Sequence, residues 1–172
     1  LVNDWNADGW PDLYVCNDFQ EDDYFYLNQG DGSFREALRD YFGHTSRFSM
    51  GSDMADVNGD GQADLLTLDM KPQREDILKT AEAPEDYDSY RYKLSFGYYH
   101  QFPRNALQVS QGGQGFSDLS QLAGIDATDW SWSALFADYD LDGWQDLYIT
   151  NGILRRPNDM DYIKFLSDPV IA

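Results

Sequence analysis

The chain has 172 residues, with 31 acidic side chains against 12 basic ones and a formal net charge of −19 at pH 7. This excess of acid argues against a nucleic-acid or anionic-membrane partner, because attraction to phosphate needs a basic face. No apolar run approaches the roughly 18 residues of a transmembrane span, so we expect no direct membrane insertion. The single cysteine, Cys16, excludes an internal disulfide framework.

Three acidic nine-residue stretches recur along the chain, and we name them loop 1 (residues 4–12), loop 2 (56–64) and loop 3 (138–146). Each has Asp or Asn at positions 1, 3, 5 and 9, glycine at position 6, and a strand-like apolar run after it. Oxygens at this spacing can converge on one hard cation, which suits calcium and its roughly six to eight oxygen ligands. The glycine permits the sharp reversal. The alternative is that Asp and Asn only populate turns, but three copies in phase indicate a repeat.

Strand-like segments follow loop 1 in a regular order. Residues 12–16 and 24–28 are predicted strands, and the tight turn Gly30-Asp31-Gly32 leads into a strand at residues 33–35. A short connector follows, and the next strand-like run ends at loop 2. The predicted unit is therefore strand, acidic loop, strand, connection, strand, glycine turn and strand.

A fixed offset sets the register of the repeat. Asp56 precedes Asp138 by 82 positions, and Phe34 precedes Phe116 by the same 82. The distance from the end of loop 1 to Phe34 is 22 positions, whereas the distance from the end of loop 2 to Phe116 is 52. The second unit therefore contains an insertion of about 30 residues, which we place at residues 71–104.

Two helices are predicted outside the strands. Residues 84–86 are expected to form the acidic first turn of a helix over residues 87–99. Asn158 or Asp159 is expected to cap a second helix near the C-terminus. The first helix carries an aromatic run with two open interpretations: a helix packed over its own unit, or a platform for a sugar or a protein.

Four-stranded units repeating every few tens of residues predict an all-β fold, namely a fragment of a β-propeller with one unit per blade. Residues 1–42 would hold three strands of a first blade, and residues 43–122 a complete blade with the insertion 71–104. Residues 123–172 would hold the first two strands of a third blade and the start of another insertion. Because propellers close with about four to eight blades, we expect a longer parent protein.

The pattern D-x-[DN]-x-D-G-x-x-D-L, with N-x-G-x-G-x-F after the next strands, resembles the FG-GAP or VCBS repeat. That family includes the β-propeller of integrin α subunits. More narrowly, the segments Met50–Asp56, Leu68–Met70, Arg104–Gln108 and Asp129–Trp132 resemble bacterial cartilage-acidic-protein-like proteins, which often carry an ASPIC/UnbV module.

The resemblance implies four-stranded blades with calcium-binding hairpin loops, and up to three Ca²⁺ ions in this chain. The side-chain ligands that it implies are Asp4, Asn6, Asp8 and Asp12; Asp56, Asn58, Asp60 and Asp64; and Asp138, Asp140, Asp142 and Asp146. At position 7, it implies that the backbone carbonyls of Trp10, Gln62 and Trp144 also bind the ion. By resemblance to integrins, ligand recognition would lie on the opposite face, where the insertion emerges.

The motifs of several other classes of site are missing from the sequence. There is no G-x-S-x-G, H-E-x-x-H, phosphate-binding glycine loop or CxxC. An EF-hand needs Glu at position 12 of its loop, which here is Val15, Thr67 or Ile149. His44 and His100 have no partner motif, so we expect surface or packing roles for both.

We therefore expect a calcium-binding repeat module of an extracytoplasmic binding or adhesion protein, whether secreted, on the cell surface or periplasmic, and without catalytic activity of its own. Its partner would be a protein or a glycan. Extracellular calcium modules bind at about 10⁻⁴ to 10⁻³ M, so such sites would stay mostly empty in a cytosol. Two alternatives remain open: the propeller domain of a polysaccharide-acting enzyme, and an assembly scaffold.

Overall fold

The computed structural model describes residues 1–19, 21–81 and 87–167, and it is mostly strand with few helices, as an all-β chain should be. The strands are β1 (Val2–Asn3), β2 (Asp12–Val15), β3 (Tyr24–Asn28), β4 (Phe34–Glu36), β5 (Thr45–Ser46), β6 (Gly51–Ala55), β7 (Asp64–Leu68), β8 (Gln101–Phe102), β9 (Ala106–Ser110), β10 (Phe116–Asp118), β11 (Ser131–Ala137) and β12 (Asp146–Asn151). The helices are α1 (Leu38–Tyr41), α2 (Glu75–Thr80), α3 (Tyr87–Ser95) and α4 (Met160–Leu166). Within the described residues, no helix has the length and apolar character that crossing a bilayer requires.

The first unit is an antiparallel sheet in the order β1-β2-β3-β4. The sequence predicted only three strands here, and that prediction is wrong by one strand. Val2 pairs with Leu13 and Asn3 pairs with Asp12, so two residues ahead of loop 1 are enough to form β1. The backbone N–H of Tyr14 also donates to the carbonyl of Leu1 at 3.0 Å, which extends the pairing to Leu1.

The second unit repeats this sheet, with β6, β7, β9 and β10 as its first to fourth strands. The β6–β7 register pairs Ala55 with Asp64, so loop 2 closes this hairpin. The turn between β9 and β10 holds Gly112 and Gly113, which lie 82 positions after Gly30 and Asp31. Since strands in an antiparallel sheet alternate in direction, loop 2 and this glycine turn lie at the same end of the sheet.

The third unit consists of the antiparallel pair β11 and β12 within the described residues. Ala137 pairs with Asp146 across loop 3, and the register shifts between Ser131 and Ser133. Helix α4 follows, and its N-cap is Asp159, whose side chain accepts the backbone N–H groups of the second and third residues after it at 2.9 and 3.1 Å. The predicted cap is therefore confirmed as Asp159.

Two apolar clusters hold the three units together. One contains Phe25 from the first unit and Leu65 from the second, both fully buried. The other contains Leu66 from the second unit and Ala134 from the third. Because successive side chains of a strand point to opposite faces, β7 contributes to both clusters and lies between them. The second unit is therefore buried on both faces, as all five side chains of β7 indicate.

The insertion leaves the second unit after β7 and ends on the first unit. Tyr99 donates its backbone N–H to the Asp22 carboxylate at 3.0 Å, and Gln101 donates its side-chain amide to the Glu21 carbonyl at 2.8 Å. The guanidinium of Arg39 lies 5.1 Å from the centre of the Tyr99 ring. Strand β8 then pairs in parallel with β5, a ribbon that the sequence did not predict.

Within the described residues, helix α3 covers Tyr87–Ser95 and ends before the predicted residue 99, and Gly97 follows with φ +92°. No side chain of this described helix is fully buried, but Tyr90 is half-buried and its hydroxyl lies 2.6 Å from His100 Nδ1. Both interpretations of the aromatic run stay predictions. Tyr92 and Phe96 are each 66% exposed. The predicted acidic turn at residues 84–86 lies outside the described residues.

Gly51 marks a close approach of the second and third units. A Cβ atom at this position would lie 2.4 Å from the carbonyl oxygen of Trp132, which belongs to the backbone of β11. We predict that Gly51→Ala lowers the free energy of unfolding by about 1–3 kcal/mol, because the two backbones must move apart. Urea denaturation gives the value directly.

Gly43→Ala is the matched control, since a Cβ there meets no atom within 4 Å and φ is not positive. It should change the midpoint little or raise it slightly. Equal midpoints for the two variants would contradict the close contact between the units.

Candidate metal centre

Each acidic loop closes the hairpin between the first and second strands of its unit. In loop 1, Asp4 accepts the backbone N–H of Asp8 at 3.0 Å on one oxygen and that of Gly9 at 2.9 Å on the other. Asp56 repeats the two bonds at 3.0 and 2.8 Å, and Asp138 at 3.0 and 2.9 Å. The first loop position is therefore held in one orientation in all three copies.

The third and fifth loop positions are held in the same way, each by the backbone N–H two residues later. At position 3 the acceptors are Asn6, Asn58 and Asp140, at 3.0, 2.9 and 3.1 Å. At position 5 they are Asp8, Asp60 and Asp142, at 2.8, 2.9 and 2.8 Å. Hydrogen bonds from the loop backbone therefore hold the side chains at positions 3 and 5 in the same orientation in all three loops. Hydrogen bonds from Gly61 and the other loop N–H groups lower the pKa of Asp56.

In loops 1 and 2, the ninth position ties the loop to the third strand of its sheet. Asp12 is fully buried, and its two oxygens accept the N–H of Trp5 in the loop at 3.0 Å and that of Asn28 at the end of β3 at 2.9 Å. Asp64 accepts from Val57 and from Ser110 at the end of β9, both at 2.9 Å. Burial raises the pKa of Asp12 and of Asp64, although these hydrogen bonds oppose the rise.

Loop 3 brings three carboxylates together. Oxygens of Asp138, Asp140 and Asp146 lie within 4.8 Å of one another. Ligands on opposite sides of a calcium ion are about 5 Å apart, since each Ca–O distance is about 2.3–2.6 Å. The three carboxylates therefore fit a calcium ion in spacing and chemistry, while the predicted ligand Asp142 is not part of this group. Loop 3 also differs in composition, because Asp140 replaces the Asn of loops 1 and 2.

Two positions in every loop have left-handed backbone conformation. The glycines predicted at position 6 have φ of +89°, +84° and +92° in Gly9, Gly61 and Gly143. Position 4 is also left-handed, which the sequence did not predict: its residues are Ala7, Gly59 and Leu141, with φ of 57°, 76° and 63°. Residue type gives little signal at this position, because only one of the three is glycine.

The residues at position 7 make different side-chain contacts in the three loops. Trp10 lies over the glycine turn of its own unit, 2.8 Å from where a Cβ of Gly30 would stand. Gln62 accepts a hydrogen bond from the Ser110 hydroxyl at 2.9 Å. Trp144 reaches the neighbouring unit and lies 3.4 Å from the Cβ position of Gly59. Ligation by the three position-7 carbonyls, and by the full side-chain set, stays a prediction.

Two buried carboxylates outside the loops hold connections between strands. Burial raises the pKa of Asp23 and of Asp69 to about 6. Asp23 accepts from the hydroxyls of Tyr14 and Ser49, both at 2.7 Å, and Asp69 accepts from the backbone N–H of Phe48 at 2.9 Å. Because donors from the protein surround both groups, their role is to fix the chain. The sequence did not distinguish them among 31 acids.

His44 is a packing residue, as the sequence indicated, but it has a charged partner. Its Nε2 lies 3.1 Å from Asp118, and Arg104 donates to the same carboxylate oxygen at 3.0 Å. Burial opposes ionisation of Asp118, but hydrogen bonds from His44 and Ser120 outweigh it and hold the pKa of this carboxyl well below its usual range. The cluster joins the connector after α1 to β10.

The fold and loops define a repeat protein built of antiparallel sheets, with an acidic cation-type loop in the first hairpin of each unit. Residues 4–67 match the sequence profile of the FG-GAP-like repeat, and this stretch belongs to that family. The match runs from loop 1 through loop 2, so it spans the first unit and the start of the second. Among curated proteins, none matches the chain significantly.

Leu141 provides a test of the left-handed position. Its φ is 63° and its side chain is 85% exposed, so little packing is lost if the side chain is removed. We predict that Leu141→Gly raises the free energy of unfolding by about 0.5–1 kcal/mol, because relief of backbone strain exceeds the entropy cost of glycine. Urea denaturation in the presence of chelator measures the change.

Gly59→Ala is the reciprocal variant, at the same position of loop 2, and it should lower stability by a similar amount. If both substitutions had the same sign, backbone strain at position 4 would not be the cause.

The raised pKa of Asp69 predicts a specific pH dependence of stability. Since its pKa is raised from 3.8 to about 6 in the folded chain, unfolding releases its proton between these values. The contribution of Asp69 to the free energy of unfolding is therefore largest below about pH 4. It falls by up to about 3 kcal/mol as the pH rises to about 6. Asp69→Asn should flatten this part of the profile of unfolding free energy against pH, measured in chelator.

Asp88→Asn is the control, because Asp88 is exposed on α3. It should keep the wild-type slope. A slope unchanged by Asp69→Asn would assign the pH dependence to other carboxylates.

Proposed function

We propose that this chain is a calcium-binding repeat module in which the ions stabilise the loops of a binding or adhesion protein. The observation that carries the proposal is the approach of Asp138, Asp140 and Asp146 to within 4.8 Å of one another. Like charges at this distance destabilise an empty loop, and a divalent cation removes that repulsion. Loops 1 and 2 have the same hydrogen-bond pattern, so we extend the proposal to three ions.

The loop residues would bind and orient the ion. Positions 1, 3 and 5 would supply the oxygens that the loop N–H groups already hold in place, with Asp12, Asp64 and Asp146 at position 9. Calcium would supply only positive charge and coordination. Its binding energy would therefore contribute to folding of the hairpins.

The repeated four-stranded units support a β-propeller, with each unit as a blade. The segments Met50–Asp56 and Asp129–Trp132, among others, support the bacterial cartilage-acidic-protein-like group with an ASPIC/UnbV module. We propose an extracytoplasmic location, because such loops fill at the higher calcium concentrations found outside the cytosol. In this proposal the partner is a protein or a glycan, and the chain has no catalytic activity of its own.

Calcium titration tests this function. We predict that saturating calcium raises the melting temperature and that chelation lowers it, with about 2.7 kcal/mol of stabilisation per site at 100 times Kd. Calorimetry should give up to three ions per chain, and Asp138→Asn should remove one of them. A melting temperature that changes with neither millimolar calcium nor chelator would contradict the proposal.

Asp88→Asn is again the matched control, since it removes the same charge from an exposed helix position outside the loops. The number of bound ions should then stay as in the wild type. A loss of one ion in both variants would indicate nonspecific binding to an acidic surface.

A further inference from the structure

The side chain at position 7 of loop 3 lies against loop 2. This residue is Trp144, and two atoms of its six-membered ring, Cζ3 and Cη2, lie 3.4 and 3.7 Å from where a Cβ of Gly59 would stand. Gly59 is position 4 of loop 2, so the contact joins two acidic loops of different units. Glycine leaves this position open to the ring, whereas loops 1 and 3 have Ala7 and Leu141 there.

The backbone of Trp144 belongs to the candidate cation site of loop 3. Its N–H donates to the Asp142 carboxylate at 2.8 Å, and the N–H of Asp142 donates to Asp138 at 3.0 Å. These bonds link the position of the indole to the conformation of the loop. A cation bound in loop 3 would therefore restrict Trp144 as well.

Gly59 has a corresponding link to the candidate site of loop 2. Its N–H donates to the Asp56 carboxylate at 2.7 Å, and the same oxygen accepts the N–H of Asp60 at 3.0 Å. Asp56 is position 1 of loop 2. The contact between Trp144 and Gly59 therefore connects the hydrogen-bond networks of the two loops.

The contact with loop 2 uses a different edge of the indole from the contact with a glycine turn. Trp10, at position 7 of loop 1, lies on the turn of its own unit, with Nε1 and Cδ1 at 2.8 and 3.3 Å from the Cβ position of Gly30. Trp144 approaches Gly59 through the opposite edge of the ring system. One tryptophan at position 7 can thus contact the glycine turn of its own unit and the preceding loop together.

In loop 2, the side chain at position 7 is directed to its own unit. The side-chain oxygen of Gln62 accepts from the Ser110 hydroxyl at 2.9 Å, and its amide nitrogen lies 3.8 Å from the Cβ position of Gly112. A cavity of about 530 Å³ lies between loops 1 and 2, and its lining includes Ala7 and Gln62. Loops 1 and 2 therefore serve as an internal comparison for loops 2 and 3.

We propose that loops 2 and 3 bind calcium with positive cooperativity, transmitted by the Trp144 side chain, and that loops 1 and 2 lack this coupling. The inference rests on the proposed calcium-binding function and adds a coupling between two of its sites. With Trp144 held in place, the segment around Gly59 is already ordered, so less conformational entropy is lost when loop 2 binds its own cation. The coupling is reciprocal, because it is a difference in binding free energy.

Electrostatic repulsion between bound cations opposes this coupling. Repulsion between exposed charges is screened by salt, and at about 1 M salt the Debye length is only about 3 Å. A contact made by an indole ring has no such dependence on salt. The titrations are therefore made at high salt, where the contribution of the contact is measured with little repulsion.

Each loop has its own reporter for a calcium titration. Gly9, Gly61 and Gly143 donate their backbone N–H groups to position 1 of their loops, so their amide NMR signals report the filling of loops 1, 2 and 3 separately. Asp138→Asn removes a candidate ligand from loop 3, and Asp4→Asn removes the matched ligand from loop 1. The first variant should weaken calcium binding at loop 2 by about five-fold, and the second by less than about two-fold.

Variants of Trp144 locate the coupling. In a Trp144→Ala background, Asp138→Asn should affect loop 2 no more than Asp4→Asn does, because the ring that joins the loops is absent. The Gly143 signal shows whether loop 3 still fills, and Trp144→Leu, which keeps an apolar side chain without the reach of the indole, repeats the measurement.

Trp132→Ala is the matched control, since it removes a half-exposed indole from the same unit but outside the loops. It should keep the five-fold effect of Asp138→Asn. Equal effects of Asp138→Asn and Asp4→Asn in the wild-type background, or a five-fold effect that survives both substitutions of Trp144, would overturn the proposal.

The same titration separates this proposal from the proposed function. If the three glycine signals respond to calcium with affinities that are not linked, only the coupling is overturned. If none of them responds, calcium binding is overturned, and the coupling with it.

Discussion

In each of the first two units, one buried carboxylate holds a loop and three strands together. Asp12 and Asp64 begin the second strand, accept an N–H from their own loop, and accept another from the end of the third strand. Because the two bonds use different oxygens, a single side chain fixes both the loop conformation and the pairing of the third strand. Its loss would leave two donors without partners at the centre of the sheet.

The two ends of the sheets carry different elements. The acidic loops and glycine turns share one end, where loop backbone N–H groups orient the oxygens and the cavity opens between units. The connections between second and third strands emerge at the other end, where the insertion reaches from the second unit to Asp22 of the first. The acidic loops and the contacts of the insertion therefore lie at opposite ends of the sheets.

The spacing of the acidic loops was sufficient to predict most of the sheet strands and their order. The loop pattern repeats at a fixed offset, so β7 and β12 begin at the predicted Asp64 and Asp146. Very short strands were missed, since β1 and the β5–β8 ribbon have only two residues per strand and hence no periodicity.

Features that depend on tertiary contacts also could not be predicted from the sequence. In the sequence, Asp69 has no feature that distinguishes it from the other acidic residues. Its burial next to β7 depends on the fold. Position 4 of the loops is occupied by Ala, Gly or Leu, so its left-handed conformation has no shared residue signal. The exposed position of α3 could not be derived either, because its aromatic residues would have suited a buried helix equally well.

The contacts of the insertion also bear on the order in which the chain folds. Tyr99 donates to Asp22 across 77 positions, and Gln101 donates to Glu21 across 80. Closing such long segments costs conformational entropy that local hairpins do not incur. The hairpins around loops 1 and 2 should therefore form in microseconds, and docking of the insertion should come later. Phe116 of β10 also stacks on Phe42 of the first unit. On a ribosome, the first unit would acquire its full set of partners only after residue 116 has emerged, which makes folding of the first two units a joint event.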